Sequence, residues 1–379
     1  MRNTKDTTGE TILVRDLKRE YKTFGRSVDR AVKSVLRKGW YILGEELRNF
    51  EDEFAGYNGS SYAVGVASGT EALQLSLVAL SVGGQDEVIT AVNTAIPTAM
   101  AIRSCGATPR FVDIAPGTFN MDAALIADAV TDRAKAIVPV HLYGNPCDMD
   151  AISKAASKRG LAIVEDCAQA HGAVYNGTKV GNFGKLGAFS FYPTKNLGCC
   201  GDGGLVVTND KKLAKAIRLL RNYGQPSRYV CEIEGTNSRL DEIQAAILRI
   251  KLKRLDRSNK ARREIAAEYG RRLKELKEIE TPAFDKGCEH VFHLYVIRCE
   301  ERDGLKKYLW SKGIETQIHY PIPLHLQKAF RHLGYKAGDF PVAEKLSGRV
   351  LSLPIFPELK ASEVKKICGA IKDFYANTR

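Results

Sequence analysis

A chain of 379 residues with 44% hydrophobic content is larger than one hydrophobic core usually grows, so a globular protein with one large and one smaller domain is expected. Lys and Arg outnumber Asp and Glu by 57 to 44, a formal charge of +13, which fits nucleic acid, an acidic surface or a phosphorylated small molecule. The opening stretch MRNTKDTTGETILVRDLKREYKTFG carries no apolar signal region, and no later run approaches the roughly eighteen apolar residues of a membrane span, so no membrane partner and a soluble, cytoplasmic protein are expected.

The nine cysteines are scattered without a C-x-x-C pair, which argues against a disulfide framework or a zinc ribbon and for reduced thiols with no metal site. Cys199 and Cys200 are adjacent, a poor geometry for shared ligation, and read as small packing residues. The basic run KLKRLDRSNKARR at 251–263 mixes its charges with leucines and leads into a helical pattern. It reads as a solvated helix face, and no nucleic-acid partner is expected.

From SYAVGVA onward, short apolar runs alternate with amphipathic segments: TEALQLSLVAL, DEVITAV, AIPTAMAIRSCG, PRFVDI, AALIADAV, KAIVPVHL, MDAISKAASKRG, LAIVEDCA, AFSFY and GGLVVT. That alternation predicts βαβ units and a mostly parallel, buried sheet, an α/β fold. After LAKAIRLLRNYG and the helical RLDEIQAAILRIKLKRLD, the segments HVFHLYVIRC, GLKKYLWSKG, IETQIHY and SEVKKICGAIKDFY read as α+β. A large domain over 12–255 and a small C-terminal domain over 256–379 are therefore expected.

Ligands of open α/β sheets bind at the carboxyl ends of the strands. At the first, ASGTEAL sets Ser68, Gly69 and Thr70 before an apolar helix, where free N–H groups and the helix dipole suit an anion; a plain helix cap is the bland alternative. LAIVEDCAQAHG ends on Asp166, either a working carboxylate or a cap for a following helix, with Gln169 and His171 beyond. FSFYPTKNLGCCGDGG sets Lys195 between a strand and a glycine-rich loop, either a solvated charge or a pocket amine. Together, an anion cup, an acid and an amine meet the needs of pyridoxal 5'-phosphate. Asp166 would keep the ring nitrogen protonated, and Lys195 would tether the aldehyde and then carry the substrate proton as base and acid. Burial and a nearby pyridinium would lower the lysine pKa.

These motifs resemble the DegT/DnrJ/EryC1/StrS sugar aminotransferases, among the fold-type I pyridoxal phosphate enzymes. YILGEELRNFEDEFA, SGTEAL, VEDCAQAHGA, FSFYPTKNLG, GDGGLVVT, TNSRLDEIQAAIL, IHYPIPLHLQ and LSLPIFP stand in the family's order over nearly the whole chain. The resemblance implies phosphate contacts from Ser68, Gly69, Thr70 and Ser190, a ring-nitrogen partner in Asp166, a ring-hydroxyl contact from Gln169 and the Schiff-base lysine in Lys195. It further implies that Asn237, otherwise an ordinary N-cap, reaches the phosphate of a neighbouring subunit, making a homodimer with shared active sites. His319 and His325, in IHYPIPLH, resemble the family segment near the sugar nucleotide. His141 and His171 either line the pocket or are satisfied by neighbouring backbone. Ala95 stands where many relatives place an aromatic that stacks on the cofactor ring.

The activity so implied is transfer of an amino group from L-glutamate to a nucleotide-sugar substrate, a nucleoside-diphosphate-linked keto sugar. Lysine at 195, where dehydrating relatives carry histidine, favours transamination. SFYPTKNLG followed by GDGG resembles enzymes that aminate C3 more than those that aminate C4, pointing to a 3-keto sugar. The alternatives are an enzyme for a non-nucleotide cyclic ketone of aminocyclitol or aminobenzoate type, and a non-catalytic regulatory homologue.

Overall fold

The computed structural model describes residues 11–378, and the start of the polar opening stretch lies outside the described residues. The strands run, in chain order, β1 (Tyr62–Val66), β2 (Glu87–Ala91), β3 (Thr108–Val112), β4 (Ala134–Val138) and β5 (Ala162–Asp166). Two short ones, β6 (Val174–Tyr175) and β7 (Thr178–Lys179), precede β8 (Leu186–Ser190) and β9 (Gly204–Thr208). Seven of them form one sheet in the order β1-β9-β8-β5-β4-β2-β3.

The neighbours β3, β2, β4, β5 and β8 pair in parallel, which requires crossovers, supplied in part by helices Ile96–Ser104 and Met149–Ser157. β9 runs antiparallel to both β8 and β1. The carboxyl ends of β1, β8, β5, β4 and β2 therefore share one edge of the sheet, and the start of β9 returns to it. Every residue of β2, β8 and β9 is buried, as expected of a sheet covered on both faces.

Toward the C-terminus, β10 (Ile279–Glu280), β11 (Cys288–Glu289), β12 (Tyr295–Cys299) and β13 (Val350–Leu353) follow. β10, β12 and β13 make a small antiparallel sheet, packed through Tyr269, Ile297, Leu305 and Ile367 against helices Leu255–Leu273, Arg302–Ser311 and Ala361–Thr378. Ile12 pairs with Ile314, and β11 pairs with β6, so long-range pairing ties the N-terminal segment and β11 into the body.

Two local expectations change. No helix follows Asp166, because residues 167–173 form turns. The run 251–263 is not wholly solvated: Arg262 is 0% exposed, and its Nη1 donates to the carbonyls of Phe292 (3.0 Å) and Ile355 (2.9 Å). Helix Leu255–Leu273 packs across the approach to β12, and carbonyl dipoles there replace part of the water this guanidinium loses.

Candidate active site

At the edge where the strands end lies a cavity of about 250 Å³. The turn after β1 gives it Ser68, Gly69 and Thr70, the end of β5 gives Asp166 and Gln169, β8 gives Ser190, and the loop beyond gives Lys195. Ser68 Oγ accepts from Glu71 N at 3.2 Å, so this serine does cap helix Gly69–Ala79. The first N–H groups of a helix have no intrahelical acceptor, and here they lie at the cavity. A Cβ at Gly69 would stand 2.5 Å from Ser190 Cβ, and one at Gly204 would run into the Ser68 carbonyl. At Gly69 and Gly204 the cup is therefore bare main chain, closed to any larger residue.

Asp166 is 5% exposed. Its Oδ2 accepts from Thr98 Oγ1 at 2.8 Å and its Oδ1 from Ala168 N at 3.1 Å. Burial pushes its pKa up, while the bonds from Thr98 and Ala168 and the charge of Lys195 pull it down. A carboxylate so placed favours a cationic N–H partner. Lys195 is only half-buried because it opens on the cavity, yet burial of its amine lowers the pKa to about 8, with Asp166 acting the other way. Its peptide N–H donates to Tyr192 O at 2.8 Å, and its carbonyl accepts from Arg15 Nη2 at 3.2 Å. The glycine-rich loop is needed at Gly198, where a Cβ would stand 2.5 Å from Pro193 O.

Gln169 is held on both sides of its amide: Oε1 accepts from Tyr143 N at 2.6 Å, and Nε2 donates to Tyr320 Oη at 3.1 Å. A primary amide has two N–H groups, so one remains for a ligand. Cup, carboxylate, amine and amide facing one cavity fit pyridoxal phosphate.

Asn237 and the histidine candidates are not among the residues lining that cavity. Asn237 is exposed and its main chain bridges to Asn222; the N-cap position of helix Glu242–Leu252 belongs to Asp241. His325 Nε2 lies 2.9 Å from Glu344 Oε1. His319 Nδ1 lies 2.8 Å from Ser352 Oγ, and burial, then the charge of Lys195, hold its pKa down to about 4. His171 sits fully buried beside the rings of Phe189 and Phe191, and burial takes its pKa to about 3. Ala95 does line the cavity, as N-cap of helix Ile96–Ser104. Of the adjacent cysteines, Cys199 packs inside but Cys200 is exposed, since Gln244 takes its peptide N–H at 2.8 Å and turns the side chain outward.

Thr98, Tyr143, Tyr320 and Arg15 escaped the sequence reading. No spacing rule relates Thr98 to Asp166; only the sheet order brings the helix after β2 over the end of β5.

The model of the DegT/DnrJ/EryC1/StrS aminotransferase family matches residues 23–372. The chain is 48% identical over 357 residues to the erythromycin biosynthesis sensory transduction protein EryC1 of Saccharopolyspora erythraea, covering 94% of this chain and 98% of that one. It is 46% identical over 359 residues to a dTDP-3-amino-3,4,6-trideoxy-alpha-D-glucose transaminase of Streptomyces venezuelae, covering 95% of this chain and 95% of that one. The crystal structure of S. venezuelae DesV superposes with a TM-score of 0.95 at 46% identity, covering 97% of this chain and 99% of that one.

Proposed function

This chain belongs to the DegT/DnrJ/EryC1/StrS aminotransferase family, and from that premise we propose that it moves an amino group from L-glutamate to the C3 keto carbon of a nucleoside-diphosphate-linked deoxy sugar. It is a pyridoxal phosphate enzyme. The observation that carries the reading is the meeting of Lys195, Asp166 and the N–H cup at one cavity; the similar transaminase of S. venezuelae, named for a 3-amino sugar, supports the position of amination.

The cofactor, when bound, supplies an electron sink for the pair left behind as a substrate proton departs. The residues do the rest. Ser68, Gly69, Thr70 and Ser190 hold the phosphate through N–H and hydroxyl donors. Asp166 keeps a proton on the ring nitrogen, and Gln169 offers its free N–H to the ring hydroxyl. Lys195 tethers the cofactor and then moves the substrate proton, a task for which an amine pKa of about 8 is well placed. The site is shared in a homodimer, Asn237 reaching across to the partner's cofactor phosphate. His319 and His325 shape the sugar-nucleotide side, and Lys195 and Asp166 speak against a purely regulatory homologue.

The test is amination by the purified protein, with L-glutamate, of a panel of nucleotide 3-keto and 4-keto sugars and cyclic ketones lacking a nucleotide. Mass spectrometry reads the product, and NMR places the nitrogen. Nitrogen on C3 is expected; nitrogen on C4 overturns the regiochemistry, and amination of the free cyclic ketones alone overturns the substrate class.

A further inference from the structure

β5 ends on two consecutive carboxylates, Glu165 and Asp166, and a strand sends consecutive side chains to opposite faces. Asp166 goes to the cavity. Glu165 is 0% exposed on the far side and accepts four hydrogen bonds. Oε1 takes Phe183 N and Gly184 N, each at 2.7 Å, and Oε2 takes Gly181 N at 2.7 Å and His141 Nε2 at 3.1 Å.

His141, also 0% exposed, has its tautomer fixed by its other nitrogen. Nδ1 lies 3.0 Å from the peptide N–H of Cys147, and a peptide N–H only donates, so Nδ1 presents a lone pair and Nε2 carries the proton given to Glu165. The ring is neutral. With Cys167, these two residues form a trio whose ligand atoms all lie within 4.8 Å. Those bonds already use both nitrogens of His141 and both oxygens of Glu165, so the pair is a hydrogen-bonded clasp beside Cys167 and no cation is needed to explain it.

The clasp acts on Asp166 through the main chain. The peptide N–H of His141 donates to Asp166 O at 3.1 Å, and Asp166 N donates to Pro139 O at 2.9 Å. The ends of β4 and β5 are thus tied twice, once by main chain at Asp166 and once by the side chains of His141 and Glu165. Glu165 also gathers the 181–184 turn beneath the strand, and a Cβ at Gly184 would stand 2.5 Å from Ile163 O, so the turn sits tight against β5.

We propose that Glu165 and His141 are positioning residues for the reaction, fixing the end of β5 so that the Asp166 carboxylate is aimed at the cofactor's ring nitrogen. This rests on the reading of Asp166 given above. Such a carboxylate needs placement to about 0.5 Å, and among the described residues its oxygens are bonded by Thr98 and Ala168.

The test compares the parent with Glu165→Gln and His141→Phe, each loaded with cofactor labelled with 15N in the ring. Three readouts are taken: the ring-nitrogen chemical shift, the single-turnover rate with L-glutamate, and thermal stability. Both variants are expected to move the shift toward the unprotonated ring and to slow the single turnover about 10-fold to 100-fold. Made in an Asp166→Ala background and followed over hours, either substitution is expected to add less than about 2-fold, since the group it positions is gone. A parental shift in folded, loaded variants, or the full loss repeated in the Asp166→Ala background, overturns the positioning role; if Glu165→Gln fails to fold, His141→Phe carries the test. A parent that borohydride does not fix to cofactor at Lys195 overturns the underlying site instead.

Discussion

At the carboxyl edge of the large sheet, Ser68, Asp166 and Gln169 have hydrogen-bond partners within their own chain. Along 223–237 the same chain holds Tyr229 at 81% exposure and sets Val230, Ile233 and Asn237 at the surface. The first region is held by bonds within the chain that bury polar groups only with partners. The second presents apolar side chains that gain by being covered. An active site drawing on both would be rigid where chemistry occurs and complete only on assembly.

The deepest cut into the first region is Lys195→Ala. Turnover is expected to fall by about 10⁴-fold or more, as when a covalent catalyst is removed. In the parent, borohydride is expected to leave a permanent cofactor adduct that peptide mapping finds on Lys195. An adduct on another lysine breaks the assignment.

Asp166→Ala is expected to cost about 10³-fold in turnover, with the borohydride adduct on Lys195 still forming, because the carboxylate serves the reaction and the amine serves the tether. A near-parental rate would return Asp166 to a turn-capping role through Ala168. Thr98→Val, which removes the 2.8 Å bond to Asp166 Oδ2, raises the carboxyl pKa further and is expected to cost about 10-fold. The loss should be largest toward low pH: a lost donor shifts the acid limb of the rate profile upward, and an unmoved acid limb would show the bond to be idle.

The second region is tested by mixing. Lys195→Ala and an Asn237 substitution that blocks cofactor binding are each inactive alone. If Asn237 crosses the two-fold axis, half the randomly paired dimers are mixed and half the sites in those are whole, so about one quarter of parental activity returns. Demonstrated subunit exchange with no recovery would confine each site to one chain.

Attack on the cofactor aldehyde needs the free amine, and burial sets the Lys195 pKa at about 8. The rate of cofactor uptake by the apoenzyme is expected to rise about 10-fold per unit below that pH and to change less than about 2-fold above it. A rise continuing toward pH 10 would mean the amine is not desolvated in the working state.

Much of the carboxyl edge could be read from the sequence because its signals are local. The S-G-T turn before a helix, the acid closing an apolar strand and the lysine ahead of a glycine-rich loop each lie within a few residues, where φ freedom, capping and strand alternation are decided. The 223–237 segment was not legible as an exposed apolar surface, since its sequence does not say what would cover Tyr229 or Val230.

The sequence by itself determined the alternation that makes an α/β sheet, the Ser68-Gly69-Thr70 turn ahead of an apolar helix, and the family to which the chain belongs. Only the tertiary structure decided which side chains complete the candidate site. Thr98 reaches Asp166 across 68 residues, Tyr320 reaches Gln169 across 151, and the two carboxylates closing β5 part to opposite faces with different partners. Strand order decides such meetings: adjacency in a sheet depends on the packing of every crossover, whereas turns and caps depend on a few neighbouring dihedrals. The burial of Arg262 has the same origin, for a basic run reads as solvent-facing until two distant loop segments lay their carbonyls against it.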